Sequence, residues 1–232
     1  MKNPLSSMLS KQSTELSANW KSRIERSKFV EQFIHSFDVS SILNLGSGGK
    51  RELKTSETIE QVDVDFQGDV DLKLNLDSIA ELPFEDRTFD CVCAMDVLEH
   101  LENFHFILEE MIRCSNRFVI VSLPNSAAEI PGIILNSGKF RRDSNQGYYS
   151  KYYGLPLKKE LDRHRYWLYT QDIIRFFEEM GSKHRMKISY VLPDFSLKLK
   201  IVRAIVGKRL FYTFFLNHIC MVMSKGSERL TV

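Results

Sequence analysis

"SILNLGSGGK", residues 41–50, sets a short apolar run directly ahead of three glycines within four positions. The run has strand character. Glycine lets the chain take positive φ and lets a ligand approach bare main chain. At a strand-to-helix turn the same stretch bares N–H groups at a helix N-terminus. A nucleotide-like ligand is therefore expected there. In the next apolar run, "IEQVDVDF" (59–66), alternation puts Asp63 and Asp65 on one face of a strand. An acidic residue at βαβ spacing from Gly46 is placed to accept ribose hydroxyls, and Asp63 is the first choice. The turn lacks the last glycine of the dinucleotide fingerprint, because Arg51 stands in its place. That argues against NAD or FAD.

Outward from this point, strand-like and helical patterns alternate. "VDLKLNL" (70–76) reads as a short strand. "FDCVCAM" (89–95) and "RFVIVSLPN" (117–125) are nearly continuous apolar runs, as buried parallel strands are. Between them, "VLEHLENFHFILEEMIRC" (97–114) reads as a helix. Residues 170–180, "TQDIIRFFEEM", read as an amphipathic helix capped by Thr170 and ended by Gly181. "MKISYVL" (186–192) and "HICMVMS" (218–224) read as late strands. Residues 13–37 carry Trp20, Ile24, Val30, Phe33, Ile34 and Phe37 at helical spacing, so residues 1–37 are expected to be an N-terminal helical extension. The whole predicts an α/β fold with a mostly parallel sheet and helices on both faces. The stretch 124–165 breaks the rhythm, and a long irregular segment after a strand's C-terminal end reads as a substrate or lid insertion.

Composition narrows the function. The chain has 232 residues, enough for one large domain; 43% are hydrophobic, 27% are charged and the net charge is +2. So near-balanced a charge does not point to nucleic acid as partner. The four cysteines, Cys91, Cys93, Cys114 and Cys220, form no CxxC pair and no zinc spacing, so no metal is expected. Cys91 and Cys93 should be buried free thiols on one side of a strand, which fits a reducing compartment. The N-terminus has no apolar core of signal-peptide type. The apolar stretch 210–223 is interrupted by Asn217 and His218 and is too short to span a bilayer. The expected location is cytoplasmic.

Taken in order, "ILNLGSGG", "VDVD", "LPFEDRTFDCVCAMDVLEHLEN" and "FVIVSLPN" resemble the motif set of class I S-adenosylmethionine-dependent methyltransferases, and of the type 11 group in particular. The resemblance covers residues 40–125 and extends loosely through 170–181. Residues 152–179 also resemble a segment of methyltransferases that accompany surface-glycan synthesis. The resemblance implies a Rossmann-like class I methyltransferase fold with a seven-stranded sheet over 38–232, and S-adenosylmethionine as cofactor. By position, Asn44, Gly46, Ser47 and Gly48 would hold its methionine part, Asp63 its ribose, Asp77 and Ser78 its adenine edge. Met95 and Asp96 would border the sulfonium. Two departures stand out. Asn44 replaces the family's usual acidic residue, and almost no room exists for a helix between "VDVDF" and "VDLKLNL".

Methyl transfer needs a nucleophile held in line and a dry site, with a base only for acceptors that must lose a proton. His164, in "DRHRYW", is the candidate base, and His100 a weaker one. Arg141, Arg142, Arg163 and Arg165, with Tyr148, Tyr149, Tyr152, Tyr153 and Trp167, suit an anionic, glycan-type or other small-molecule acceptor. An alternative is a cofactor-binding module without catalysis, serving as a regulator or scaffold. Residues 196–215 mix apolar residues with Lys198, Lys200, Arg203, Lys208 and Arg209. This predicts a helical insertion over 194–210 that can rest on the inner face of a membrane.

Overall fold

The two apolar runs that read as buried strands lie side by side at the middle of one sheet. The computed structural model describes residues 14–18, 23–51, 53–130, 142–143, 147–148, 163–193 and 195–226. In chain order its principal elements begin with β1 (Thr14–Ala18), α1 (Arg23–Ser36), β2 (Ser41–Leu45), β3 (Glu60–Asp65) and β4 (Leu72–Lys73). β5 (Phe89–Met95), α2 (Phe104–Cys114) and β6 (Ser115–Pro124) follow. The short pair β7 (Arg142–Asp143) and β8 (Gly147–Tyr148) forms a separate two-stranded sheet. Then come α3 (Thr170–His184), β9 (Met186–Pro193), α4 (Leu197–Val206), α5 (Lys208–Phe215) and β10 (His218–Lys225).

The main sheet has eight strands in the order β1-β9-β10-β6-β5-β2-β3-β4. β10 runs antiparallel to β6 and β9, and every other pair is parallel. Without β1 this is the seven-stranded Rossmann-like arrangement that the resemblance implies. β1 is the addition: residues 14–18 pair with Ser189–Pro193 on the sheet edge instead of continuing a helix. An edge strand offers a row of unmet N–H and C=O groups, and pairing there outweighs a weak helical pattern.

Alternation decides which residues face which layer. Ile42, Cys91, Cys93, Phe118 and Val222 face α1, which buries Phe29, Val30, Phe33 and Ile34 against them. Phe33 and Phe118 meet edge to face, with ring centres 5.0 Å apart. Burying rings of this size contributes about 2–3 kcal/mol each. The other face packs Leu43, Val92, Ala94, Val119 and Val121 against α2, α3 and α5. Helices therefore cover both faces, and Cys91 and Cys93 are buried free thiols, as expected, as are Cys114 and Cys220.

Local readings change in three places. The 97–114 pattern breaks into a single 3-10 turn, Leu98–His100, and then α2 from Phe104. α3 runs past Gly181 to His184 and ends on Arg185 at φ 54°. Gly181 is needed for close packing instead, since a Cβ there would lie 2.7 Å from Ile188 Cγ1. Thr170 does not cap α3 either; its hydroxyl donates to the Tyr212 carbonyl at 3.2 Å.

Candidate active site

The glycine stretch ends β2 and turns back at the C-terminal end of the sheet. Gly46 takes φ 69° and its N–H donates to the Val64 carbonyl at 2.7 Å. A Cβ on Gly46 would lie 2.4 Å from Val97 Cγ2, so only glycine lets the turn sit against the loop that follows β5. No helix follows among the described residues 46–51 and 53–59. The N–H groups bared here are therefore not those of a helix terminus. They are met by a carboxylate: Asp65 Oδ2 accepts from Gly48 N at 2.8 Å and Gly49 N at 3.2 Å. Asp65 Oδ1 accepts from Gln67 N at 3.2 Å. A second turn, 66–69, then closes on the first. Asp69 N donates to Gly49 O at 3.0 Å, and a Cβ on Gly68 would fall 2.0 Å from that same oxygen.

Asp63 occupies a different setting. It is 1% exposed, and its carboxylate accepts from Asn44 Nδ2 at 2.7 Å and from Gln61 Nε2 at 2.8 Å. The Cys93 thiol donates to Asn44 Oδ1 at 3.2 Å, and Arg51 stands 3.7 Å from Asp63. Burial pushes the Asp63 carboxyl above its usual range, and the two amide hydrogen bonds only partly offset that. Asn44 and Asp63 thus satisfy each other inside the sheet layer. Asp65, 7% exposed, ends the strand beside the glycines.

The other named positions lie around the same sheet end. Ser47 is buried, Gly48 is exposed, and Met95 packs toward α1. Asp96 takes φ 54°, a strained conformation that Asp tolerates better than most residues. Its Oδ1 accepts from Ser122 Oγ at 2.6 Å. Its Oδ2 pairs with Arg26 at 2.7 Å and faces His218 Nε2 at 3.5 Å. Asp77 is exposed, and its Oδ1 accepts from Glu102 N at 2.9 Å, tying the 76–78 turn to the start of α2. Ser78 Oγ donates to the Asn75 carbonyl at 3.0 Å.

On the facing side, Arg165 N donates to Glu99 O at 2.7 Å and its guanidinium pairs with Glu102 at 2.9 Å. This draws His164 onto His100, with ring centres 4.6 Å apart. One donor atom from each of Glu99, His100 and His164 lies within 4.8 Å of the others. A carboxylate with two imidazoles is a donor set that could hold a divalent metal. Arg163 is half-buried. Arg141, Tyr149, Tyr152 and Tyr153 lie outside the described residues, and Arg142 and Tyr148 are described only as backbone of the β7–β8 pair.

Arg113 explains the "LPFED" stretch. It donates to the carbonyls of Leu82 at 3.0 Å and Phe84 at 2.8 Å, and it pairs with Glu110 at 2.7 Å. Glu110 accepts in turn from Leu82 N at 2.7 Å. Residues 82–86 are thereby fixed to the last turn of α2, just ahead of β5, so this motif anchors the helix to the sheet.

Residues 52–117 match the family model described as "Methyltransferase domain". Over those residues the chain carries the sequence pattern of a methyltransferase domain, and its sheet has the class I methyltransferase fold. Solved structures share the methyltransferase fold. The methyltransferase domain of bacterial CtHen1-CN is 15% identical, with 86% of this chain and 97% of that chain covered and a TM-score of 0.54. Magnesium protoporphyrin IX methyltransferase (ChlM) from Synechocystis PCC 6803, with bound SAH, is 11% identical over 88% of this chain and 83% of its own, with a TM-score of 0.50. The plantazolicin methyltransferase BpumL in complex with SAH is 10% identical over the same shares, also with a TM-score of 0.50. At these identities the likeness is one of fold. No curated protein matches this chain in sequence.

Several contributors carry no motif. Arg26 and His218 reach Asp96 from α1 and β10, and Ser122 from the neighbouring strand. Only the folded sheet brings them together. Glu99 was readable in "LEHL", but nothing in the chain pairs it with His164, 65 positions later.

Proposed function

We propose that this methyltransferase transfers the methyl group of S-adenosylmethionine by in-line displacement to a small-molecule or glycan-type acceptor bearing negative charge. The observation that carries the reading is the glycine turn latched by Asp65. It sets main chain and the carboxylates of Asp65, Asp77 and Asp96 around the C-terminal end of a parallel sheet, which suits a cationic nucleoside. A carboxylate has about four lone-pair positions. Asp65 uses three in the structure, which leaves one for a ribose hydroxyl. We therefore assign the ribose to Asp65 in place of Asp63. Gly46, Ser47 and Gly48 line the methionine part, Asp77 and Ser78 the adenine edge, and Met95 and Asp96 the reacting end.

The cofactor supplies a methyl group on a positive sulfur. His164, with His100 beside it, takes the proton from an acceptor hydroxyl. The residues around the glycine turn would hold the cofactor with its methyl toward the acceptor oxygen, and on methyl transfer the cofactor would leave as a neutral thioether. Arg163 and Arg165 border that side; Arg141, Arg142, Tyr148 and Tyr152 are the further acceptor-binding candidates by sequence alone. Four buried free thiols support a cytoplasmic location, and the chain's near-balanced charge supports an acceptor other than nucleic acid. Incubation with methyl-labelled cofactor and fractionated glycan and metabolite pools tests the reading. Label should appear in an acidic acceptor, and a His164→Ala variant should lose at least about tenfold of the rate. Label in no fraction, with cofactor still bound, would favour the alternative of a binding module without catalysis. That alternative draws on Asn44, whose side chain is committed to Asp63, and on the Arg26 pair that occupies Asp96.

A further inference from the structure

The two helices between β9 and β10 expose what a helix normally hides. In α4, Leu197, Ile201, Ala204 and Ile205 recur at the spacing of one helical stripe, yet all four face solvent. Leu197, Ile201 and Ile205 are 74%, 53% and 79% exposed. The opposite side of the same helix, through Leu199 and Val202, is the one that packs on the core. α5 adds Leu210, Phe214 and Phe215. Among the described residues, seven of the ten exposed large apolar side chains belong to this pair of helices, so the patch is concentrated and not scattered.

Charge names the occupant. From Phe195 to Gly226 the chain holds no acidic residue, while Lys198, Lys200, Arg203, Lys208 and Arg209 lie in the two helices. Lys198, Lys200, Lys208 and Arg209 are exposed beside the apolar side chains. Arg203 is half-buried and donates to the Tyr212 hydroxyl at 3.3 Å. A second copy of this chain would bring like charges face to face. A nucleic acid would meet the bases but leave the leucines, isoleucines and phenylalanines wet. An anionic lipid surface satisfies both, with headgroups for the ammonium and guanidinium groups and acyl chains for the apolar stripe. No described helix is long and apolar enough to cross a membrane, so contact would be lateral.

We propose that α4 and α5 form a docking face that lies on an anionic lipid bilayer. The anchoring of α5 gives this face a relation to the site. Asn125, just after β6, donates to the carbonyls of Tyr212, Thr213 and Leu216 at 3.2, 2.9 and 2.7 Å. β10 then begins at His218, beside Asp96. A bilayer under these helices therefore lies at the end of the sheet that holds the candidate active site.

The test is sedimentation of the full chain with phosphatidylcholine vesicles and with mixed phosphatidylcholine–phosphatidylglycerol vesicles. The wild type should pellet with the mixed vesicles and not with the neutral ones. A Lys198→Gln/Lys200→Gln variant should bind roughly 25-fold less, about fivefold for each charge removed. An Ile201→Ser/Ile205→Ser variant keeps every charge and should still lose about tenfold or more. Both variants alter exposed side chains, and far-UV circular dichroism confirms their folding whether or not cofactor binds. Equal or absent pelleting with the two vesicle types would overturn the proposal. So would unchanged binding by the serine variant, or a wild-type dimer in sedimentation velocity that this variant dissolves.

Discussion

The half of the sheet built on β2, β3 and β4 and the half built on β6, β9 and β10 are held together by different forces. The first joins parallel strands without helices among its described crossover residues, and its closure is polar. Asp65 latches the glycine turn, Asp71 accepts from Asp63 N at 2.8 Å, and Asn44, Asp63 and Gln61 satisfy one another in the layer beneath. The second half closes mainly by apolar area, with Ile173, Ile174 and Phe177 of α3, Phe211 of α5 and Leu216 buried against the sheet, and Asn125 adds a polar anchor to α5. The polar half depends on single atoms in fixed places and the apolar half on total buried surface. A ligand needs the former, because recognition requires directed groups; a scaffold needs the latter.

The largest expected effect is in the polar half. Gly68→Ala sets a Cβ 2.0 Å from the Gly49 carbonyl at φ 89°, so the two turns must part. Urea unfolding should show a loss of about 3 kcal/mol or more, together with loss of S-adenosylhomocysteine binding. A smaller cost would mean that the turns are not the rigid part of this half.

An intermediate effect belongs to Glu110, on the helix between the halves. Its hydrogen bonds to Arg113, and then to Leu82 N, hold its carboxyl below the usual range despite partial burial. Glu110→Ala should cost about 2–3 kcal/mol, because Arg113 and the Leu82 N–H lose their shared acceptor. The pH sign follows from the lowered value. The stabilisation is present above the ordinary glutamate range, about 4.3, and is lost as pH falls through the folded-state value. Acid titration of the urea midpoint should therefore be steeper for wild type than for Glu110→Ala. Equal slopes would contradict the role given to this pair.

The smallest effect is the control. Glu179 and Arg175 form an exposed pair at 3.2 Å on α3, and Glu179→Ala should change stability by less than about 0.5 kcal/mol. A larger change would show that this half, too, leans on individual polar contacts.

Much of the sheet was legible because its central strands are long apolar runs, several of which end at glycine, proline or asparagine. FDCVCAM and RFVIVSLPN needed no partner to be recognised. β1 was not, since pairing to β9 is a contact across the chain that local pattern does not record. The empty place after the glycines was half legible. The short gap before VDLKLNL showed that one helix was missing, but a helix was still expected after the turn. In the site, the pair Asp63 and Asp65 was visible by alternation. Choosing between them was not, because alternation gives both the same face, and only the length of β3 shows which one reaches the turn. Arg26, Ser122 and His218 converge on Asp96 from three separate elements, which no spacing encodes.

Isothermal titration of S-adenosylhomocysteine into wild type, Asp65→Asn and Asp63→Asn tests the central claim most directly. We predict one site per chain in wild type. Affinity should fall by about 10- to 100-fold in Asp65→Asn, where a charged acceptor is lost, and by less than about threefold in Asp63→Asn, whose carboxylate is sealed between Asn44 and Gln61. No binding by wild type, or the opposite order of the two variants, would contradict the account.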